Sequence, residues 1–191
     1  LGRRVPDVHR HLRGRRLARR VERGLPLHVH PIRRRRRREV HRRLGEREVL
    51  RGIYVAVRER GWATVPAELE DLEIDADLES FRVRFEARHR RGDVAFAWDG
   101  RIEGFADGRI AFTMDGRAGS TFLRNRIGLC VLHPAAECAG RECIVETTDG
   151  ARIEQGFPSL VSPHQPFRNV RAILHEVTPG VEVEVRMEGE T

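Results

Sequence analysis

The sequence predicts an all-β fold, an antiparallel β-sandwich with a disordered or partly helical Arg-rich N-terminal arm. Apolar and polar residues alternate with period two in several segments, which is typical of half-buried strands. Asp-Gly pairs, which suit the left-handed backbone of tight turns, follow several of these segments. The charge also changes abruptly near Glu48. We therefore expect an arm over residues 1–47 and a sandwich domain over residues 48–191, truncated at its C-terminal end.

The arm accounts for the basic character of the chain. It carries 18 arginines against four acidic residues and contains no aromatic residue, whereas the remainder carries 18 arginines against 25 acidic residues. Six consecutive arginines, 33–38, repel one another, which favours disorder or a frayed helix. Two interpretations stay open. The arm could contact the phosphates of a polyanion, or it could be a mistranslated or misframed product of a GC-rich gene, since the chain contains no lysine.

The strands of the domain are predicted from alternation. The stretch from Pro66 to Asp77 does not alternate in this way. It is acidic and lacks apolar periodicity, so we expect a short helix or a loop there. Strands are expected over residues 81–88, 94–98, 110–114 and 181–188. Turns are expected at four pairs, Asp99-Gly100, Asp107-Gly108, Asp115-Gly116 and Asp149-Gly150.

Composition excludes several classes of protein. No apolar run approaches the about 20 residues that a helix needs to span a bilayer, and the N-terminus lacks the apolar segment of a secretory signal. Three cysteines are too few for a disulfide scaffold, and their odd number favours reduced thiols. We expect a cytoplasmic protein with no membrane partner.

Two segments break the alternation and concentrate polar side chains. The first begins at Arg124, Asn125 and Arg126 and runs through an apolar strand to His133. If the two arginines share a face, their guanidinium groups can hold a carboxylate or sugar hydroxyls; otherwise they pair with acids on neighbouring strands.

The second segment is a proline-rich loop in which His164 and Gln165 stand between two prolines. Proline fixes the backbone, so this loop could aim polar groups at a ligand, or it could be a structural crossover whose histidine caps exposed backbone. We expect five residues of the two segments to bind substrate on one surface, and no catalytic residue is assigned. The five are Arg124, Asn125, His133, His164 and Gln165.

The two segments and the residues between them also contain side chains of the types that bind zinc. His133, Cys138, Cys143 and His164 are of the right types, but the cysteines are spaced C-x4-C and the histidines lie far apart. Cys130 lies in an apolar strand and is expected to pack in the core. We therefore expect no metal and no cofactor. The chain also lacks the G-x-S-x-G, G-x-G-x-x-G and P-loop motifs, so the sequence indicates neither a serine triad nor a nucleotide site.

Several long strings carry a resemblance to a known family. The strings FTMDGRAGSTFLRNRIGLCVLHP, ECAGREC and FPSLVSPHQPF, with the run from Asn169 to Gly189, resemble the N-terminal region of the D-apionate lactonase family. The resemblance covers about residues 48–191. It implies a β-rich domain that precedes a (β/α)8 barrel, and hydrolysis of a sugar-acid lactone in the catabolism of a branched pentose. If the acid/base residues lie in the barrel, this chain lacks them and is inactive alone.

The function hypotheses follow from the resemblance and the arm. The first is a β domain of a lactone hydrolase, a carboxylic-ester hydrolase, whose partners are a sugar-acid or lactone molecule and the barrel domain of the same protein. The alternative is a non-catalytic β-sandwich binding module whose arm contacts nucleic acid or another polyanion. Nucleic acid is the less favoured partner, because the arm has no aromatic side chain for base stacking.

Overall fold

The computed structural model describes residues 47–161 and 165–188, together with the backbone of three short strands before them. The fold is all-β, as predicted. The helix that the described residues contain is the four-residue α1 (Ala135–Cys138), and no helix among them is long and apolar enough to cross a membrane. Most of the arm, and with it the prediction of disorder or partial helicity, lies outside the described residues.

The described strands all pair antiparallel. Three strands predicted from alternation lie within the seventh, eighth and ninth of them, and the fourth prediction, 181–188, runs two residues beyond the last strand. In chain order the strands are β1 (Arg3–Arg4), β2 (Arg16–Leu17), β3 (Arg42–Leu44), β4 (Arg47–Leu50), β5 (Gly52–Glu59), β6 (Ala67–Ala76), β7 (Ser80–Arg91), β8 (Val94–Phe105), β9 (Ile110–Ala118), β10 (Leu123–Leu132), β11 (Glu142–Thr147), β12 (Arg152–Gly156), β13 (Val170–Thr178) and β14 (Val181–Arg186).

These strands form one large and two small sheets. The large sheet has nine strands in the order β12-β11-β13-β14-β2-β9-β8-β7-β6. A three-stranded sheet has the order β1-β10-β5, and β3 pairs with β4 in a two-stranded sheet. The main core lies between the sheets, because apolar side chains of β4, β5 and β10 pack with those of β7, β8, β9, β13 and β14. A second, smaller apolar cluster lies around α1, β11 and β13.

Aromatic rings fill the middle of the main core. Phe85 meets Trp98 edge to face, with 5.1 Å between ring centroids, and Trp98 lies 6.3 Å from Phe112. The same region buries a histidine: the indole N–H of Trp98 donates to Nε2 of His89 at 3.0 Å, and Nδ1 of His89 lies 2.9 Å from the carbonyl oxygen of Val65. Both ring nitrogens of this core histidine are therefore satisfied.

Two of the predicted turns are wrong. Asp99-Gly100 lies in the middle of β8 and Asp115-Gly116 in the middle of β9. These glycines leave room for neighbouring rings: a Cβ built on Gly100 would lie 2.5 Å from Phe85, and one on Gly116 would lie 2.5 Å from Phe96. The other two predicted turns are confirmed, and their glycines, Gly108 and Gly150, have the left-handed backbone that such turns need.

The predicted helix or loop at Pro66 to Asp77 is also wrong, because this stretch forms β6 at the edge of the large sheet. Every residue of β6 is exposed, so the strand has no buried apolar face and its sequence lacks the two-residue alternation from which a strand is predicted. Its acids instead pair with the arginines of β7, as in Glu70 with Arg88 at 3.2 Å and Glu73 with Arg84 at 3.8 Å. Charge on an edge strand also discourages pairing with other chains.

Candidate functional site

The predicted substrate-binding residues lie in three different places. Arg124 and Asn125 lie at the start of β10, whereas His133 follows its end. The nine-residue separation corresponds to about 30 Å of extended strand, so one sugar-acid molecule cannot contact both ends. Gln165 is exposed in the loop before β13, and His164 lies outside the described residues. Their role in substrate binding stays a prediction.

A β-bulge separates the two arginines of β10. Arg124 is paired with Glu59 of β5, and Arg126 with Arg58, so Asn125 is the extra residue. Consecutive residues of a strand point to opposite faces, and cross-strand partners share a face. Arg124 and Arg126 therefore lie on opposite faces, and the arginine that shares a face with Arg126 is Arg58.

These two arginines meet at an exposed tryptophan. The guanidinium carbons of Arg58 and Arg126 lie 5.9 and 5.4 Å from the centroid of the Trp62 ring, within cation–π range. Trp62 is 53% exposed. We call Arg58, Trp62 and Arg126 the guanidinium–tryptophan platform. Sequence reasoning missed Trp62 and Arg58, although Arg126 was considered.

The turn that carries Trp62 is held in an unusual conformation. Trp62 has a φ of 73°, a left-handed backbone that a bulky residue rarely adopts. The carboxylate of Glu59 accepts hydrogen bonds from the backbone N–H groups of Gly61 at 3.1 Å and Ala63 at 3.4 Å. The backbone N–H of Trp62 also donates to the carbonyl of Glu59 at 3.0 Å. Three hydrogen bonds from backbone N–H groups thus offset the strain and hold the backbone of the turn that carries the ring.

The platform can bind anions and hydroxyl groups. Each guanidinium presents planar N–H donors that match a carboxylate, and the two positive charges attract an anion. The exposed indole adds a rigid apolar surface beside them.

A second group of polar side chains lies at the other end of β10. His133 follows the strand, Cys138 ends α1, and His175 lies on β13. Sγ of Cys138 and Nε2 of His175 are 3.5 Å apart, and the two imidazole rings are 5.4 Å apart. Phe157 packs against both rings, at 5.1 Å from His133 and 5.2 Å from His175. We call His133, Cys138 and His175 the His-Cys-His cluster.

The cluster is uncharged at neutral pH. Burial lowers the pKa of His133 to about 4, with a smaller contribution from His175. Burial also lowers the pKa of His175, and it raises the pKa of the Cys138 thiol to about 11. A protonated thiol is a poor nucleophile, so this arrangement does not suit thiol catalysis.

Sequence reasoning missed His175. Its signal was its place in the alternation of β13, where it takes an inward position among the buried residues of the strand. Cys143, the second cysteine of the C-x4-C spacing, is buried with Cys138 in the smaller apolar cluster around α1, β11 and β13. All three cysteines of the chain are free.

Comparison with known proteins identifies the family. The family described as "D-apionate lactonase, N-terminal domain" matches residues 32–191. The chain belongs to this family. The match begins before the predicted domain boundary at residue 48, which itself stays a prediction.

A curated relative gives the same result. A D-apionate lactonase from Brucella anthropi is 37% identical over 145 residues, which cover 75% of this chain. The chain spans only 24% of the length of that relative. No solved structure matches the chain.

Proposed function

We propose that this D-apionate lactonase N-terminal domain works within a larger lactone hydrolase, where it binds the sugar acid that is released when another part of the protein hydrolyses the lactone. The observation that carries the proposal is the 37% identity to a D-apionate lactonase of which this chain spans 24%. A role in carbohydrate catabolism and a cytoplasmic setting belong to the same proposal. The three free cysteines are consistent with a reducing compartment.

The guanidinium–tryptophan platform is the surface that we assign to the sugar acid. Opening a sugar-acid lactone releases a carboxylate, and the product also carries hydroxyl groups. Two guanidinium groups beside a rigid ring supply donors for both. The strained turn holds Trp62 in place before any ligand arrives, which lowers the entropy that binding costs.

The test uses the full-length protein and lactone hydrolysis. Arg126→Gln should raise the inhibition constant of D-apionate about tenfold, because a charged hydrogen bond to the carboxylate is lost. It should leave kcat nearly unchanged. Arg109→Gln is a matched control, since Arg109 also stacks on an aromatic ring, 4.2 Å from the centroid of Phe105, in a different turn.

The two halves of the proposal fail separately. A full-length protein that does not open the lactone contradicts the lactonase assignment. An active protein whose inhibition by D-apionate is the same with and without Arg126 contradicts the binding role of the platform.

The residues predicted from sequence need their own test in the same protein. Arg124→Ala and His164→Ala, made separately, should each lower kcat/KM for the lactone if these side chains contact substrate. If both variants stay folded with kcat/KM unchanged, Arg124 and His164 serve only the structure of the domain.

A further inference from the structure

The His-Cys-His cluster brings together three side chains that bind soft and borderline metal ions. One ligand atom from each of His133, Cys138 and His175 lies within 4.8 Å of the other two. A tetrahedral zinc ion with bonds of about 2.0 to 2.3 Å separates its ligand atoms by about 3.3 to 3.7 Å. The 3.5 Å between Sγ of Cys138 and Nε2 of His175 already meets this requirement. Small side-chain rotations can close the remaining separations.

The hydrogen bonding of the cluster also distinguishes it from an ordinary buried histidine pair. Nδ1 of His133 and Nδ1 of His175 are buried without a hydrogen-bond partner, and His175 is only 5% exposed. His89 shows what a satisfied core histidine looks like in the same protein, with both nitrogens bonded. Native proteins rarely leave buried polar atoms unpaired, so the two unpaired Nδ1 atoms call for an explanation.

We infer that His133, Cys138 and His175 form a binding site for Zn²⁺, to which they supply three ligands. This replaces the expectation, drawn from sequence, that the chain binds no metal. The thiol of Cys138 gives its proton to solvent as the zinc–sulfur bond forms, and the two neutral imidazoles donate lone pairs. The donor set of one thiolate and two imidazoles suits zinc better than the oxygen-seeking ions Mg²⁺ and Ca²⁺.

The position of the site gives it a structural role. His133 follows β10 of the three-stranded sheet, whereas His175 lies on β13 of the nine-stranded sheet. Cys138 comes from α1, in the connection between β10 and β11. A bound ion therefore ties this connection to both sheets. Phe157 and Phe167, whose rings are 5.6 Å apart, cover the site with apolar surface.

The test titrates the metal-free chain with Co²⁺, which reports its own coordination by absorption. We expect one equivalent to produce a thiolate-to-cobalt charge-transfer band with the visible absorption of a tetrahedral ion, and Zn²⁺ to displace it. Cys138→Ser should abolish the charge-transfer band, and His175→Gln should weaken Co²⁺ binding by about a hundredfold. Cys130→Ser is the matched control, because Cys130 is a free thiol outside the cluster.

A stability measurement guards against variants that merely misfold. Zn²⁺ should raise the Tm of the unmodified chain and of Cys130→Ser, but not that of Cys138→Ser, since only a ligand bound to the native state stabilises it. The proposal is overturned if the folded, unmodified chain gives no charge-transfer band. It is equally overturned if the band survives in Cys138→Ser.

Discussion

The burial of single histidines affects how the stability of this domain depends on pH. In the main core, His89 accepts from the indole of Trp98 through Nε2, so its proton must lie on Nδ1, which donates to Val65. Protonating Nε2 would break the first bond and place a charge in the core. Burial accordingly lowers the pKa of His89 below its ordinary 6.5.

The stability of the domain should therefore fall with acid. Because the unfolded chain takes up a proton at His89 before the folded chain does, the free energy of unfolding decreases as the pH falls below about 6.5. His133 and His175, whose pKa values are also lowered by burial, act in the same direction. Urea unfolding at a series of pH values measures the slope. His89→Gln should reduce that slope, and an identical slope in the variant would contradict the argument.

At the residue scale, sequence reasoning considered His133 and Cys138 together as possible metal ligands but missed His175. Cys138 was considered with His164, which lies far along the chain, whereas the structure brings in His175 from β13. Sequence spacing reveals ligands that share one turn or loop. It does not reveal ligands that different sheets bring together, because that requires knowledge of the strand order.

At the scale of elements, the alternation of apolar and polar residues identified strands that bury one face. It failed for a strand whose two faces are both exposed. β7, β8, β9 and β14 follow the rule. In contrast, β6 is exposed throughout and depends on ion pairs with β7, which a single-segment pattern cannot show. The misplaced turns in β8 and β9 have a related cause, because the rings that explain their glycines lie elsewhere in the sequence.

Gly100, which lies against the ring of Phe85, tests whether neighbouring rings explain the glycines within β8 and β9. Gly100 is the cross-strand partner of Phe85, and an added Cβ would lie 2.5 Å from the ring, closer than real contacts allow. Gly100→Ala should therefore lower the free energy of unfolding by about 1 to 3 kcal/mol, the usual effect of overpacking a core. Urea unfolding measures the change.

The matched control is Gly119→Ala. An added Cβ there would meet its nearest atom, Cβ of Ala95, at an ordinary 3.6 Å. This variant should stay within about 0.5 kcal/mol of the original chain, as most surface substitutions do. Equal losses in the two variants would mean that the Phe85 ring does not explain the glycine in β8.

At the scale of the whole molecule, the open question is what the first 47 residues contribute. Among the residues whose side chains the structure describes, the buried apolar core runs from Val49 to Val185. The family match begins earlier, at residue 32. In the large sheet, the two-residue β2 lies between β14 and β9, pairing Leu17 with both Val185 and Ile110.

We expect residues 1–47 to be dispensable for the fold, because the three short strands β1, β2 and β3 comprise only seven residues, and their pairing contributes little beside the buried area of the core. Two shortened chains, starting at residues 32 and 48, separate the possibilities, and calorimetry measures the Tm of each. Both should melt within a few degrees of the full chain. A large fall in both would show that the residues before 32, which include β1 and β2, contribute to the stability of the fold. A fall in the shorter chain alone would assign the stability to residues 32–47 and move the domain boundary to the start of the family match.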